Sequence, residues 1–435
     1  MEHFEGLHPL EKRVSHHVAH GYSTLHPAVS KAVTANQGMW LSLVLILGAL
    51  SFNFFLCFIN TNVTGVLPFH VIGMEVLIVF TAFLASVRSI GREQCVLICA
   101  TFFYLLLLML VRASHFGGEE IDPKVFRDFM IPFAFFLLGL RARDLRSTDF
   151  IVLISATVVT VIALFEYCFV DVYLQYFNII TYYVARGSVA TERLELFSTS
   201  LFESGIRPEG RALFPILGDH RISSIFLEPV SPGNFGLIIF FWAMVRQKLE
   251  KKFRAALFLM GIFLIVMADN RFGAYLCVLA LVLCLLLSRF TYALVMCLPL
   301  VAVCALVGIA YSFEDFTVDN SFLGRLVLSG SILVAFDLST WLGIGQSARS
   351  AFDSGYGYAI SQIGIFGFAV LWFVFMTLRS TNNQFFVFRS LAGLYLGMVL
   401  CVSYSPFTIK TAALLWFLLG ALAVGRETRS IGRTQ

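Results

Sequence analysis

The chain has 435 residues, of which 58% are hydrophobic, 15% aromatic and only 13% charged, and its formal net charge is +4. A typical soluble domain is about 45–50% apolar and about 25% charged. The composition therefore excludes a water-soluble domain, a disordered chain, a coiled coil, a nucleic-acid-binding domain and a disulfide-stapled secreted module. It indicates a polytopic membrane protein with no nucleic-acid partner.

Apolar runs recur along the chain, and a membrane-spanning helix needs about 20 predominantly apolar residues. Twelve runs begin near Met39, Leu67, Gln94, Phe129, Asp149, Gly233, Ala255, Phe272, Phe290, Ala359, Phe385 and Ile409. They predict an all-α fold with about twelve transmembrane helices in a membrane domain of residues 39–424. Residues 1–38 and 425–435 are predicted to be cytoplasmic tails, and two larger segments, 171–232 and 311–355, are predicted to be periplasmic.

The distribution of charge predicts the orientation, because short cytoplasmic loops are rich in Lys and Arg. With the N-terminus inside, 19 of the 31 basic residues but only 8 of the 27 acidic residues fall on the inner side. The densest inner loop is Arg246–Arg254. The opposite orientation would place this positive surplus outside, so both termini are predicted to be cytoplasmic.

The predicted inner loops are too short to enclose a nucleotide. The sequence contains neither a G-x-x-x-x-G-K-[ST] motif, which holds phosphates, nor an Asp-x-Asp pair, which would hold a metal-bound sugar nucleotide. Any group transfer must therefore use a donor that already lies in or across the membrane. No cluster has the spacing of metal ligands, so neither a cofactor nor a metal is predicted.

The two outer segments contain seven arginines, against the usual bias of basic residues toward the inner side. They are Arg186, Arg193, Arg207, Arg211, Arg221, Arg325 and Arg349. The planar guanidinium suits bidentate binding of phosphate or pyrophosphate. For the first three, the favoured interpretation is pairing with neighbouring acidic residues on a solvated loop. For Arg221, Arg271 and Arg325, which lie next to predicted membrane entry points, the favoured interpretation is function.

Three further features need an interpretation. Glu75 and Glu166 fall within predicted spans, where an ionisable group is by default suspected of function. The alternative is a protonated or Arg-paired carboxylate that holds the helix bundle together. The apolar run Asn320–Phe336 is interrupted by Gly324 and Gly330. It predicts a helix at the membrane interface, because a thirteenth span would place the C-terminal arginines outside.

Three stretches near the predicted outer face carry a resemblance to a known family. They are RISSIFLEPVSPGNFG (Arg221–Gly236), ADNRFGAYL (Ala268–Leu276), and the region from Arg325 through GIGQ to FDSGYGYAISQIGIFG, which ends at Gly367. In this order they resemble the Wzy-type polysaccharide polymerases and O-antigen ligases, and most closely the xanthan-type exopolysaccharide polymerases. Asp353 stands where ligases of the family carry a His, which favours a polymerase. Asp269 and Asn270 depart from the family, where small hydroxyl residues are usual.

The resemblance implies a membrane glycosyltransferase of a bacterial inner membrane. It would transfer a growing exopolysaccharide or O-antigen chain from undecaprenyl pyrophosphate to a new lipid-linked repeat on the periplasmic side. The implied partners are an undecaprenyl-pyrophosphate-linked oligosaccharide, membrane lipid, a chain-length co-polymerase and a flippase.

In such a reaction pyrophosphate is the leaving group, and guanidinium groups would stabilise the charge that develops on it. The predicted pyrophosphate site consists of Arg221, Arg271 and Arg325, with Arg211, Arg349 and Lys410 as outer candidates. The acceptor hydroxyl must lose a proton to a positioned carboxylate, for which Asp353 is the first candidate and Glu228 the second. A helix-capping role for Asp353 and a mechanism without a dedicated base stay open.

Two other functions also stay open. An O-antigen ligase would share the donor and the fold but would transfer the glycan to the lipid A core. A secondary transporter, which belongs to a different class, would show internal repeats, broken helices and paired charges within the membrane. The sequence shows no convincing repeat, and its polar residues gather in the outer segments, so the polymerase is favoured.

Overall fold

The structure is a computed structural model, and it describes residues 38–87, 90–115, 122–142, 144–189, 201, 205–207, 217–286, 290–313, 321–345 and 354–424. In chain order the helices are α1 (Gly38–Asn62), α2 (Pro68–Ser86), α3 (Arg92–His115), α4 (Pro123–Arg141), α5 (Leu145–Cys168), α6 (Val170–Tyr176), α7 (Ile179–Ala185), α8 (Val230–Val245), α9 (Lys251–Met267), α10 (Arg271–Leu286), α11 (Phe290–Ser312), α12 (Phe322–Val334), α13 (Leu338–Trp341), α14 (Gly355–Thr377), α15 (Asn383–Val399) and α16 (Ile409–Val424).

Helices account for the regular structure of these residues, apart from an isolated antiparallel bridge between Ile206 and His220. The all-α prediction is therefore confirmed for the described part of the chain. The twelve apolar runs all fall on helices, namely α1 to α5, α8 to α11 and α14 to α16. Six helices in the described ranges are long and apolar enough to cross a membrane: α1, α2, α3, α5, α11 and α14.

One end of the helix bundle is joined by a buried polar network. Arg246, which follows α8, donates to Asp149 near the start of α5 (Nη2–Oδ2 2.7 Å) and to Gln384 at the start of α15 (Nη1–Oε1 2.8 Å). The indole nitrogen of Trp242 donates to the same Asp149 carboxylate at 3.0 Å. We call this the inner end, after the orientation predicted from charge, and the opposite end the outer end.

Helices α4 and α16 pack with their backbones in direct contact. A Cβ atom added to Gly139 of α4 would overlap the carbonyl oxygen of Phe417, and one added to Gly420 of α16 would overlap that of Phe136. Small residues allow helices to approach this closely in an apolar environment, where van der Waals packing drives association. This contact holds α16, and with it Lys410, against the middle of the bundle.

The run Asn320–Phe336 contains the 13-residue helix α12. Its first turn is capped by Ser321, whose hydroxyl accepts the amide hydrogen of Gly324 at an N–O distance of 3.0 Å. At 1.5 Å per residue it is about 20 Å long, shorter than the hydrocarbon core of about 30 Å. The helix is confirmed and too short to span a membrane on its own, while its place at the interface stays a prediction.

Helix α14 is broken near its middle. Gly364 has a φ of +69° and a ψ of 163°, so the helix is interrupted there. Gly343, with a φ of +77°, packs on the break, and a Cβ atom there would lie 2.5 Å from the backbone nitrogen of Gly364. Both positions need glycine, since the φ is positive and the two backbones touch.

Donors from α3 bind the carbonyl groups at this break. The Tyr104 hydroxyl donates to the carbonyl oxygen of Ile363 at 2.7 Å. The buried guanidinium of Arg112 donates through Nη2 to the carbonyl oxygens of Gly343 at 2.7 Å and of Gln362 at 2.5 Å. Backbone groups inside a bilayer need such internal partners, because hydrocarbon offers none.

Candidate functional site

Four arginines gather at the outer end, and we call Arg207, Arg221, Arg271 and Arg325 the arginine cluster. Because the four guanidinium groups are close together, the other three affect the pKa of Arg221. Burial lowers this pKa most, Asp269 raises it, and the positive charges of the other three arginines lower it again, to about 10. The structure thus brings Arg271 and Arg325 within electrostatic reach of Arg221 and adds Arg207.

The end of α9 positions two members of this cluster. Arg221 donates through Nε to the carbonyl oxygen of Ala268 at 3.0 Å, and Arg207 donates through Nη2 to that of Met267 at 3.3 Å. The last carbonyl groups of a helix lack helical partners and form the negative end of its dipole, which favours cations. Arg207 also donates to the carbonyl oxygen of Gly218 and is only 4% exposed. The expectation that Arg207 pairs with acidic residues on a solvated loop is wrong.

The turn between α9 and α10 exposes Arg271. Asp269 adopts a φ of +50°, a left-handed conformation that Asp and Asn tolerate better than most residues. The side-chain oxygen of Asn270 accepts the amide hydrogen of Gly273 at 2.8 Å and so caps α10. Arg271 follows with 42% of its side chain exposed, and its Nη2 atom lies 3.9 Å from Oδ2 of Asp269. The two residues that depart from the family pattern therefore make the turn and the cap.

Asn234 links the first two stretches of the resemblance. Nδ2 of Asn270 donates to Oδ1 of Asn234 at 3.3 Å, and Nδ2 of Asn234 donates to the Ser405 hydroxyl at 3.2 Å. A Cβ atom on Gly233 would overlap the Asn270 side chain. The beginning of α8, the turn before α10 and the connection from α15 to α16 therefore meet at the outer end.

Glu166, near the end of α5, supports the segment between Arg221 and α8. Its carboxylate is fully buried and accepts the backbone amide hydrogens of Ser223 at 2.9 Å and of Ser224 at 2.5 Å. It also lies 3.1 Å from Nε2 of His220. Ser224 and Leu227 have φ values of +49° and +62°, uncommon for residues other than glycine. Glu166 is therefore bound by backbone amides and a histidine, not by an arginine.

A second set of charges at the outer end consists of Glu75, Arg127, Asp128, Glu228 and Lys410, and we call it the paired cluster. Arg127 forms an ion pair with Glu75 through Nη1 and another with Asp128, at 2.7 Å from Nη2 to Oδ1. The hydroxyl of Tyr358 donates to Oδ2 of Asp128 at 2.7 Å. The Arg-paired interpretation of Glu75 is confirmed, and this pair joins α2 to α4.

Glu228 and Lys410 pair with each other. Nζ of Lys410 lies 3.3 Å from Oε1 of Glu228 and donates to the carbonyl oxygen of Phe226 at 2.8 Å. The Ser231 hydroxyl donates to the same Glu228 oxygen at 2.6 Å. Burial raises the pKa of Glu228, but Lys410, the Ser231 hydroxyl and Arg186 together lower it below its ordinary value. Glu228 is therefore ionised at neutral pH and is a weak base.

The other candidates fall into two groups. Asp353, Arg193, Arg211 and Arg349 lie outside the described residues. The cap of α14 is Ser354, whose hydroxyl accepts the amide hydrogen of Gly357 at 3.0 Å, so the capping role considered for Asp353 belongs to Ser354. The Arg186 guanidinium lies 4.8 Å from the centre of the Tyr183 ring and donates to Ser188 at 2.7 Å. The expectation that Arg186 pairs with acidic residues on a solvated loop is wrong.

Sequence reasoning did not single out several residues that the structure places at the outer end. They are Arg127, Asp128, Tyr358, Asn234 and Ser405. Arg127 and Asp128 at the predicted start of the fourth span carried a usable signal, because they are adjacent residues of opposite charge at the edge of an apolar run. Asn234 and Ser405 carried none, since each is one polar residue in a helix end or loop.

The chain was compared with models of protein families, with curated proteins and with solved structures. None of the three comparisons found a match. Within the described part of the chain, no group of three or more His, Cys, Asp and Glu side chains is placed to hold a metal ion. What is shown is a helical protein whose described part contains six helices long and apolar enough to cross a membrane, with two charged clusters at one end.

Proposed function

We propose that the protein polymerises lipid-linked saccharide repeats, and that the arginine cluster binds the pyrophosphate of the donor. The observation that carries this proposal is the gathering of three arginines around Arg221, whose pKa burial lowers most and whose positive neighbours lower it further, to about 10, against the opposing charge of Asp269. Like charges held together raise the free energy of the empty site. A pyrophosphate would relieve this repulsion, and bidentate guanidinium geometry suits its oxygens.

The arrangement of the helices supports this location. We propose twelve spans in a bacterial inner membrane, with both termini in the cytoplasm and the arginine cluster on the periplasmic face. Apart from Glu75, which lies about two turns inside α2, the members of both charged clusters lie in loops or near helix ends that this topology assigns to the same side. The loop from Arg246 to Arg254, the most basic one, falls on the opposite side.

The proposed reaction exchanges one bond to the anomeric carbon of the donor sugar for another. The bond from that carbon to the pyrophosphate oxygen breaks, and the acceptor hydroxyl oxygen forms the new glycosidic bond. Undecaprenyl pyrophosphate leaves with the electron pair, and Arg221, Arg271 and Arg325 stabilise its charge. The hydroxyl proton passes to a carboxylate, which we assign to Asp353 because Glu228 is paired with Lys410 and its lowered pKa makes it a poor acceptor.

A secondary transporter is the second candidate, and two observations favour it. Helix α14 is broken at Gly364, and Glu75 is paired with Arg127 between two helices. Broken helices and buried charges line the binding sites of many transporters. The carbonyl groups at the break in α14, however, already accept hydrogen bonds from Tyr104 and Arg112. Arg271 of the arginine cluster, in contrast, is exposed to solvent. This contrast favours group transfer at the outer face.

The test is to identify the lipid-linked saccharides that accumulate in a strain that lacks the protein. A polymerase predicts that single repeats on undecaprenyl pyrophosphate persist while long chains disappear. Loss of all glycan from lipid A, with polymer still present on the carrier, would identify a ligase. Normal polymer together with lost uptake of a solute would identify a transporter.

A separate variant tests the assignment of Asp353 as the catalytic base. Asp353→Asn keeps the shape of the side chain but cannot accept a proton at neutral pH, and general-base catalysis typically supplies about 10²–10⁴-fold in rate. We expect normal amounts of protein in the membrane and no long chains. Glu228→Gln is the matched comparison and should lower the amount of folded protein through loss of the Lys410 pair. Polymer of normal length from the Asp353→Asn strain would refute the assignment.

A further inference from the structure

An apolar groove runs along the bundle between α3, α4, α14, α15 and α16. Its volume is about 710 Å³, within the range of roughly 300–1,000 Å³ that is usual for ligand pockets. Aromatic side chains make up much of its wall, among them Phe129, Phe133, Trp372 and Trp416. Neither charged cluster of the outer end contributes a lining residue, so the groove is separate from the proposed reaction site.

The length of the groove fits one hydrocarbon chain. On α4 its lining residues extend from Phe129 to Leu140, a rise of about 17 Å at 1.5 Å per residue. Half of the hydrocarbon core of a bilayer is about 15 Å. A lipid chain that lies along the helices from one leaflet would therefore fill the groove and end near Phe129.

The polar lining residues gather at one end. Among the described residues of the wall, the charged ones are Glu93 at the start of α3 and Arg379 just after α14, and both are exposed. Gln94 and Thr377 lie beside them in sequence. All four belong to the inner end, whereas the outer mouth is lined by Phe129, Phe407 and other apolar residues.

We propose that the groove binds a phospholipid of the inner leaflet whose head group carries both a phosphate and a primary ammonium. Arg379 would bind the phosphate, Glu93 would bind the ammonium, and one chain would lie against Trp372 and Trp416. The polarity of the groove excludes the lipid-linked donor as its occupant, because the proposed pyrophosphate site lies at the opposite end of the bundle. The choice of leaflet and the exclusion of the donor rest on the proposed topology and site, whereas binding of the head group requires no glycan transfer.

Tryptophan fluorescence measures occupancy directly, because bromine atoms on a lipid chain quench an indole only on contact. Two proteins are compared in vesicles, and both retain the fully buried Trp242 as an unquenched background. The first keeps Trp416 and carries Phe at positions 40, 341 and 372. The second keeps Trp40, which is 51% exposed and reports on bulk lipid, and carries Phe at 341, 372 and 416.

Chain-brominated phosphatidylethanolamine, phosphatidylglycerol and phosphatidylcholine are titrated into both proteins. For Trp416, half-quenching should need about two- to fivefold less phosphatidylethanolamine than either other lipid, the scale of one or two exposed ion pairs. For Trp40 the three lipids should be equivalent. Arg379→Gln and Glu93→Gln should each reduce the preference at Trp416 and leave Trp40 unchanged.

Three results would overturn the proposal. Equal half-quenching of Trp416 by the three lipids would show that no head group is selected. A preference that survives both Arg379→Gln and Glu93→Gln would place the head group elsewhere. Displacement of the brominated lipid by undecaprenyl phosphate but not by unbrominated phosphatidylethanolamine would assign the groove to the polyprenyl chain. None of these measurements requires polymerase activity, so failure of the proposed function would not affect them.

Discussion

The arginine cluster and the paired cluster lie at the same end of the bundle but differ in how their charges are matched. In the paired cluster Arg127 contacts Glu75 and Asp128, and Lys410 lies 3.3 Å from Glu228. In the arginine cluster the ion pair that joins described residues is Arg271 with Asp269, at 3.9 Å.

This difference indicates separate roles for the two clusters. Buried charges that have partners hold helices in register, although they add little net stability. Burial lowers the pKa of Arg221 most and its three neighbouring arginines lower it further, and such electrostatics are common where a ligand of opposite charge binds. The comparison predicts that removal of a charge destabilises the paired cluster but removes function from the arginine cluster.

The largest effect is expected for Arg127→Met. The substitution leaves Glu75 and Asp128 buried without their cation, and loss of one partner of a buried ion pair typically costs about 3–5 kcal/mol. The free energy of unfolding in detergent, measured with a denaturant, should fall by that amount. Arg271→Met is the matched control, because its half-exposed side chain should change the free energy of unfolding by no more than about 0.5 kcal/mol. Equal losses in the two variants would contradict the comparison.

The next effect concerns activity. Arg325→Gln should lower the rate of glycan transfer by about 10²–10³-fold, the usual cost of one donor to a developing anion, with unchanged unfolding. Arg325→Lys should restore only part of the rate, since an ammonium cannot bind two oxygens in a fork. Lys252→Gln on the opposite end serves as a control. A transfer rate in Arg325→Gln that matches this control would remove Arg325 from the site.

The pKa of Arg221 predicts a pH dependence of anion binding. Its pKa of about 10 in the folded protein lies below the ordinary value for arginine. Arg221 therefore loses its proton at a lower pH than a free arginine side chain does. The affinity of the solubilised protein for inorganic pyrophosphate should therefore fall as the pH rises through about 10, at constant ionic strength. In Arg221→Gln the affinity should be lower at all pH values, and the fall in affinity as the pH rises through about 10 should be absent. A step of equal size in the variant would assign it to another group or to pyrophosphate itself.

The smallest effect is expected for Asp269→Asn. Asn keeps the shape of the side chain and tolerates the φ of +50°, but it removes the carboxylate that raises the pKa of Arg221. Pyrophosphate should bind about 1.4- to 5-fold more tightly, corresponding to a weak ion pair of roughly 0.2–1 kcal/mol. Weaker binding would mean that Asp269 orients Arg271 instead of competing with the ligand.

Much of the fold could be predicted because apolar runs long enough for a helix leave little choice of structure in lipid. All twelve runs lie on helices, and the run Asn320–Phe336 contains the short helix α12. The proximity of Arg221, Arg271 and Arg325 could also be anticipated, since each begins or precedes a helix at the same predicted face. The break in α14 at Gly364 could not be predicted, because it depends on Gly343 packing against it and on donors from α3.

The sequence by itself determined that this protein is built from apolar helices, because hydropathy acts locally along the chain. Only the tertiary structure decided which charges have partners. Glu228 meets Lys410 across 182 positions, and Glu75 meets Arg127 across 52. Glu166 is bound by the amides of Ser223 and Ser224. Each of these partners is set by helix packing, which brings together residues whose separation in sequence carries no signal of contact.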